Sequence, residues 1–560
     1  QLTGATTRIV MDTKDSIHAI ELSPEHQAAV NRRRRIVVQY DPNLEIGLDL
    51  SQRAEAPAGD ETVVQMAGHS ELTGQSVFAY EDDPDTQIDT IIWDMGGPSG
   101  MATYPSKVLE PFRHASLVRW WDKGLDLVQA LIDGCRERNL EVFWNHRVSE
   151  ADFLPDNAGA DPDEEINPTK IAHPDWVIRD IHWYGDWNYA VPEVRELNLE
   201  LLRELAQNYD FDGFQIDLSR HVPILPPGEE WEHRNAMTDF VRSVRLMTLE
   251  VGENRGQPFL LGVKVPRNQE GCRADGFDVE TWAQESLVDI FTIGCRSIDP
   301  DFDFFHRITA GRNIKLQPTL DTHHATAGYK WPPIEFYRGV FGNWWQQGAD
   351  TIQAFNWSAA LQEVKGNLPN RYEGTRVELQ ALREMGNPET MAAKDKLFAV
   401  ERRGGFPWSG GYFARNDTAP LPVTLKNYGR PECLTIRFCD NVRALAEALE
   451  DVTLRVVLLG AREGDQIEIR LNDVVLESAV DDYQWQDRQI FSPAPQPATC
   501  SSDLPDLDPD QRLLRKDFPV PPELCRVGEN QVRVHVVKRI PHDSREFISV
   551  EKLEAHVRYA

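Results

Sequence analysis

The stretch YDFDGFQIDLSRHVP, residues 209–223, sets apolar Phe211, Phe214 and Ile216 directly ahead of Asp217, Arg220 and His221. A carboxylate, a guanidinium and an imidazole at the end of a buried run are costly unless they are paired or put to use. Arg220 and His221 can hold Asp217 ionised by charge and hydrogen bonding. That is the state a nucleophile or general base requires. The structural alternative is a salt bridge from Asp217 to Arg220 that only fastens the loop.

Similar endings recur along the chain. Short β-branched and aromatic runs predict strands at 35–43, 88–97, 140–150, 211–221, 259–268, 288–297, 314–324 and 350–359. Their C-terminal ends carry Asp41, then Asp94, then Asn145 with His146 and Arg147, and next the Asp217 cluster. Further on come Lys264 with Arg267 and Asn268, Arg296 with Asp299, Asp321 with His323 and His324, and Asn356 with Trp357. Any strand leaving a core meets water, but so many ends rich in charge and imidazole go beyond that need. The adjacent pair His323–His324 diverges on an extended segment and does not suggest a metal.

Helical patterns fill the intervals, at 120–139, 192–209 and 237–253. In the second, Val194, Leu197, Leu201 and Leu205 form a core-facing stripe, and Pro192 sits in the first turn where its missing N–H costs nothing. Strands alternating with helices from residue 36 to about 360 predict a parallel (β/α)8 barrel, whose chemistry gathers at the C-terminal ends of the strands. A doubly wound dinucleotide-binding sheet would begin with a Gly-rich turn, which is absent.

After about residue 395 apolar and polar residues alternate with period two, in LTIRFCD, VTLRVVLLG, DQIEIRLNDVVL, NQVRVHVVKRI and EKLEAHVRYA. This predicts an antiparallel β-sandwich. The expected organisation is an N-terminal extension over 1–34, a barrel over 35–390 and a sandwich over 395–560. TTRIVMDT in the extension could add a strand to the sandwich, and Pro-rich 492–522 reads as a loop or an edge cover.

The bulk figures set limits. The chain has 560 residues and a formal net charge of −31, which disfavours nucleic acid as a partner. The one dense basic run, NRRRR at 31–35, reads as a solvated strand entry. No run of about 18 apolar residues offers a membrane span. Seven cysteines include no CxxC and no zinc spacing, so neither metal nor other cofactor is expected. Cys135 and Cys295 read as buried thiols, while Cys500 and Cys525 could pair. The chain begins at Gln1 without a signal peptide, as a processed export product or a trimmed chain would; a secreted or periplasmic bacterial location is the expectation.

Fifteen tryptophans add a further hint. Trp176, Trp183, Trp187 and Trp357, with Tyr184 and Tyr189, fall after predicted strands. Aromatic faces beside carboxylates, Asn and His suit a sugar, whose C–H faces stack while its hydroxyls are held; capping of the core is the alternative. Lys264, Arg267 and Arg296 point to a carboxylated or sulfated sugar, unless Lys264 pairs with Asp217 across the barrel.

DGFQIDLSRH resembles the fourth-strand motif of the alpha-amylase superfamily, with Asp217 at the nucleophile position and Arg220 and His221 following. EVFWNH is similar to its third-strand motif at Asn145 and His146, with Glu141 in place of the aspartate. Gln215 replaces that superfamily's arginine, and the fifth strand carries Lys264 where a glutamate would stand. HPDWVI, PEVRELNLELLRELAQNYDFDGFQIDLSRH, LGVKVP, GFDVETWAQESLVDIF and YRGVFGNWWQQGADTIQAFNW more closely resemble bacterial glycosyl-hydrolase-like, family-10-like barrels over most of 85–360. That resemblance implies a barrel and a carbohydrate partner.

Glycoside hydrolysis needs two carboxyl groups, about 5–5.5 Å apart for retention and about 6.5–9.5 Å for inversion. Asp217 is the first choice and Asp299 the second, with Asp321 and Glu270 in reserve. Asp94, Asn145, His146, Arg220, His221, Lys264, Arg296, His323, Asn356 and Trp357 are expected to hold substrate. Two other readings stay open: a non-catalytic glycan-binding barrel, favoured by the missing fifth-strand glutamate, and a uronic-acid lyase using His or Lys as base.

Overall fold

Eight parallel strands close into a barrel in their sequence order. The computed structural model describes residues 19–40, 78, 80–94, 101–111, 118, 121–124, 126–149, 167–179, 185–218, 222–294, 297–321, 329, 332–355, 357, 371–402, 418–426, 429–486, 512–541 and 547–560. The barrel strands are β1 (Ile36–Tyr40), β2 (Ile88–Trp93), β3 (Glu141–Arg147), β4 (Gly213–Asp217), β5 (Leu260–Val265), β6 (Ile290–Ile293), β7 (Lys315–Asp321) and β8 (Ile352–Phe355). Each lies within a predicted strand.

The helices are α1 (Pro24–Val30), α2 (Leu127–Glu137), α3 (Pro168–Ala172), α4 (Pro192–Asn208), α5 (Arg234–Arg255), α6 (Gln269–Ala274), α7 (Val279–Gln284), α8 (Phe302–Thr309), α9 (Ile334–Gln346) and α10 (Arg371–Glu384). The side-chain period of two sorts each strand. Ile36, Val38, Ile91, Val142, Phe214, Ile216, Leu261 and Val263 join the helices in the main core. Val37, Ile92, Phe143, Leu260 and Ile290 form a separate apolar cluster inside the barrel. Gln39, Asn145, Gln215, Thr292, Gln317 and Gln353 are buried as well, and they make the barrel interior polar.

The base is closed by the chain ahead of β1. Helix α1 starts at Ser23, whose side chain accepts from the His26 N–H. Arg34 is buried, donating from Nε to Glu141 Oε2 at 2.6 Å and from Nη2 to Oε1 at 2.7 Å. Thr90 Oγ1 donates to the same carboxylate at 2.8 Å. Thus NRRRR is not wholly a solvated entry: Arg32 and Arg33 are exposed, while Arg34 seals the barrel. His26 and Arg245 close on Asp289 at 2.9 and 2.8 Å. Burial raises the Asp289 carboxyl, but the Arg245 charge and the hydrogen bonds to His26 and Arg245 outweigh it and hold it well below the usual range. The described part of the extension therefore packs across the barrel base; residues 6–13 lie outside the described residues.

Two antiparallel sheets follow. The six-stranded one orders β9 (Lys396–Ala399), β18 (Ile548–Tyr559), β12 (Leu449–Leu459), β16 (Leu513–Pro519) and β15 (Val480–Trp485), with β10 (Val423–Leu425) also paired to β18. The four-stranded one orders β11 (Glu432–Phe438), β17 (Gly528–Lys538), β13 (Gln466–Leu471) and β14 (Val474–Leu476). One hydrophobic cluster draws on both, including Leu454, Leu458 and Phe518 from the first and Ile436, Ile469 and Val534 from the second. Asn472 and Asp473 join β13 to β14 with φ of 47° and 72°, the left-handed pair that a two-residue hairpin demands.

Part of 492–522 is not a loop. Strand β16 lies inside its sheet between β12 and β15, and its Leu514 and Phe518 point into the core. Cys525 is a free thiol, so the pairing with Cys500 is not formed; Cys135 is buried and free, and Cys295 lies outside the described residues.

Helix α9 lies against β9, and glycines allow the approach. A Cβ on Gly339 would sit 2.1 Å from the Leu397 carbonyl oxygen, and one on Gly342 would sit 2.5 Å from Cys439 Sγ. Gly262 on β5 is the contrasting case. It borders a cavity large enough for about one water molecule, lined also by Arg34, Thr90, Gln215, Thr292 and Gln317. A Cβ there would meet nothing closer than 3.7 Å. We expect Gly339→Ala to cost about 1–3 kcal/mol through backbone overlap. Gly262→Ala should be neutral or stabilising by about 0.4–1 kcal/mol. Melting temperatures of the two variants test the pair, and equal values would contradict the α9–β9 contact.

Candidate active site

One amide organises the barrel interior. Gln215 on β4 donates from Nε2 to Gln39 Oε1 at 3.0 Å and to Asn145 Oδ1 at 2.7 Å. Its Oε1 accepts from Thr292 Oγ1 at 3.0 Å and from Gln353 Nε2 at 2.9 Å. Gln317 Nε2 extends the chain to Thr292 at 2.9 Å. Five other strands thus meet on β4 directly or through one neighbour.

A charged layer stands on this amide layer at the C-terminal end of the barrel. Asp94, following β2, accepts from Arg147 Nε at 2.6 Å, Asn145 Nδ2 at 3.2 Å and Gln39 Nε2 at 3.5 Å. Lys264 donates to Gln39 Oε1 at 3.3 Å and to Asp217 Oδ2 at 3.5 Å. Its Nζ lies 3.2 Å from the centroid of the Phe355 ring. The ladder sets Asp217 level with both Arg147 and Lys264, and Asp321 level with Phe355. Asp217, Lys264 and Asp321 have no exposed surface. The described groups therefore form a closed layer, not the open cup that polar strand ends suggested.

Other candidates fall elsewhere. His146 follows Asn145, so period two turns it outward to α4. There His146 Nε2 lies 3.0 Å from Asn198 Oδ1, whose amide nitrogen donates to the Val194 carbonyl. The imidazole therefore donates to Asn198 and is structural, a correction to its reading as a substrate ligand. Trp357 is buried, with Nε1 donating to the Leu320 carbonyl at 3.3 Å, and it packs on Tyr337. Arg267 is buried against Glu401 at 2.5 Å, Ser297 and Thr418. Asp299 is exposed and hydrogen-bonds through its backbone to Ser297, apart from the charged layer. Protein mass around it raises its carboxyl against the pull of Arg437 and Arg267, while its contact with water limits that effect. Glu270 is exposed on α6. Asp41, Arg220, His221, Arg296, His323, His324 and Asn356 lie outside the described residues.

The aromatic set also resolves into packing. Trp187 and Tyr189 are buried, and Trp176 stacks on His173 at 3.9 Å while its ring packs against the main core. Trp183 and Tyr184 lie outside the described residues. Among the described residues no cluster of His, Cys, Asp or Glu is arranged to hold a metal ion, and no helix is long and apolar enough to cross a membrane.

Gln39, Thr292, Gln317 and Gln353 are residues of this hydrogen-bonded interior layer that sequence reading passed over. Their signal is a polar residue at an inward position within an apolar strand, as in IVVQY and IQAF. Glu141, aligned with a catalytic motif by resemblance, is instead the base partner of Arg34.

Barrel enzymes place their chemistry at the C-terminal end of a closed parallel barrel, where this chain gathers acidic groups from different strands. Residues 74–231, which contain β2, β3 and β4, match the family model described as Glycosyl hydrolase-like 10. That match supports a carbohydrate-active protein. No curated protein sequence matches the chain. Among solved structures, a noncanonic maltogenic alpha-amylase, AmyB, from Thermotoga neapolitana is 12% identical, with 91% of this chain and 100% of that one covered at a TM-score of 0.36. Alpha-L-fucosidase isoenzyme 2 from Paenibacillus thiaminolyticus is 14% identical over 66% of this chain, at a TM-score of 0.37; the alignment spans 51% of that protein's length. A putative alpha-L-fucosidase from Bacteroides thetaiotaomicron is 11% identical, with 97% and 99% covered at a TM-score of 0.33.

The His146 environment gives a pH prediction. Burial pushes its imidazole down to about 4, against a smaller upward pull from Asn198. The unfolded chain, with a value of about 6.5, then binds the extra proton between these limits. The stability due to neutral His146 is complete above the unfolded value and is lost as pH falls toward the folded one, by an amount on the order of 3 kcal/mol. His146→Gln should flatten the acid side of a plot of melting temperature against pH; an unchanged slope would contradict the assignment.

Proposed function

We propose that this protein is a glycoside hydrolase acting on a poly- or oligosaccharide, with its chemistry at the C-terminal end of the barrel. The observation that carries the reading is the convergence of Asp94, Asp217 and Asp321, from three different strands, on one layer with Arg147 and Lys264. Asp217 acts as the nucleophile or base and Asp321 as the proton donor. Asp321 takes the role expected of Asp299, which lies apart from the layer. In the reaction the glycosidic C–O bond breaks, the leaving oxygen takes the proton from Asp321, and water supplies the new oxygen at the anomeric carbon while giving up a proton to one of the two carboxylates.

The substrate is a neutral sugar in this reading. Of the cations that suggested an anionic one, Lys264 is paired with Asp217 and Arg267 with Glu401, while Arg296 lies outside the described residues. The strong net negative charge also repels a polyanion. The two antiparallel sheets serve as an accessory β-sandwich, and the protein works in a secreted or periplasmic setting. A second reading, glycan binding without cleavage, is favoured by the complete burial of Asp217 against Lys264.

A panel of neutral and anionic polysaccharides separates these readings. New reducing ends without ultraviolet absorbance mean hydrolysis, unsaturated products mean a lyase, and binding alone means a lectin-like role. Asp217→Asn and Asp321→Asn should each lower turnover by at least about 100-fold. An Asp217→Asn chain with full turnover would end the catalytic assignment.

A further inference from the structure

Among the described residues Trp231 is the one exposed tryptophan, with 37% of its surface open to solvent. It closes the segment that leaves β4 and stands three residues ahead of α5, so it lies on the C-terminal side of the barrel. Helix α6, which carries Arg273, occupies the same side, because it follows β5 and precedes the return helix α7. An exposed indole forgoes the burial that a core position would supply. Held rigidly beside polar groups, it offers a flat apolar face with a polar N–H at its edge. The backbone under it is fixed. Gly276, between α6 and α7, has a φ of 79°, and a Cβ there would overlap the Glu230 carbonyl oxygen and the Leu225 side chain. The turn that carries Trp231 is thus pressed against the α6–α7 corner. Asn268 and Asp278 cap those two helices, accepting from the Gly271 and Thr281 N–H groups at 2.8 and 3.1 Å.

Polar groups border the ring. Arg234 Nη1 donates to the Trp231 carbonyl at 2.8 Å, and its guanidinium carbon lies 4.9 Å from the ring centroid. That of Arg273 lies 5.5 Å from the same centroid. The Arg273 side chain is 57% exposed, and it stands 3.7 Å from Glu280, beyond a hydrogen bond. Arg234 stands 3.9 Å from Asp278, and Gln269 Nε2 donates to Glu280 Oε1 at 2.6 Å. Each guanidinium is matched by a carboxylate, so the patch has no excess positive charge to attract an anion. A ligand that both donates and accepts without bearing charge fits a guanidinium and a carboxylate side by side. We propose that Trp231, Arg273 and Glu280 form a glycan-stacking platform on the C-terminal rim of the barrel, holding sugar units of a neutral chain outside the charged layer. This rests on the hydrolase reading above and deepens it. The C–H face of a sugar lies against the exposed part of the indole, and its hydroxyls reach the guanidinium and the carboxylate.

Affinity electrophoresis of the full chain in the cold tests the platform, with amylose, xyloglucan, galactomannan or arabinoxylan in the gel and polygalacturonate as the anionic probe. At least one neutral polymer should slow the parent, and Trp231→Ala should weaken that retention by about tenfold. Trp231→Phe should recover most of it, because a smaller ring still stacks. The melting temperature of Trp231→Ala should stay within about 2 °C of the parent's, as for other exposed side chains. Should that variant not fold, Arg273→Ala takes its place, with a several-fold loss of retention expected. Equal retention of parent and variant, retention by polygalacturonate alone, or no retention by any polymer would overturn the proposal. The hydrolase reading fails differently. A polymer held through Trp231 yet left uncut would end that reading and leave the platform standing as a binding site. A polymer that Trp231→Ala cuts with the parent's KM would end the platform and leave the hydrolase intact.

Discussion

The Gln215 side chain can donate two hydrogen bonds and accept two, and all four are made inside the barrel. A polar interior is stable only when its groups are satisfied, because each unmet donor or acceptor costs its full desolvation. Gln215 meets that condition by linking β4 to β1, β3, β6 and β8 through side chains alone. An arginine at this place would bring a charge that the amide ring around it has no carboxylate to match. The substitution of Gln for Arg relative to the amylase-like motif is therefore bound up with Gln39, Asn145, Thr292 and Gln353, the residues that complete it.

The same logic layers the barrel along its axis. At the base, Arg34 and Glu141 form a two-pronged ion pair, closed beneath an apolar ring. Above lies the neutral amide layer, and above that Asp94, Arg147, Asp217, Lys264 and Asp321. Arg34 is paired with Glu141 below, Arg147 with Asp94 and Lys264 with Asp217 above, and the amides separate the two charged layers.

Much of this architecture is legible in the sequence, and the errors have physical reasons. The eight barrel strands and the long helices α4 and α5 follow from periodicity, and the Asn472–Asp473 turn from its residue types. The ends of β3 and β5 read too long because Val148–Ser149 and Pro266–Asn268 continue the extended pattern after the ladder stops. Strand β16 escapes notice because prolines around it mask the alternation of Leu514 and Phe518. At the site, Asp217 and Lys264 are visible as a pair, yet His146 is misassigned when both residues of an Asn-His dipeptide are treated as inward. Asp299 is misplaced because chain position past β6 does not reveal that the loop turns toward Arg437 of the antiparallel sheets.

The closeness of α9 to β9 bears on how the two halves of the chain depend on each other. Leu397 belongs to the core of the barrel, and Phe398, the next residue, to the core of the antiparallel sheets. A single extended strand is thus a rivet through both, with one face in each interior. Separating the halves would strip apolar cover from both at once, so neither is a transferable module. Heat should melt them in one cooperative event, and grafting the sheets onto another barrel would require a helix with glycines spaced to receive that strand.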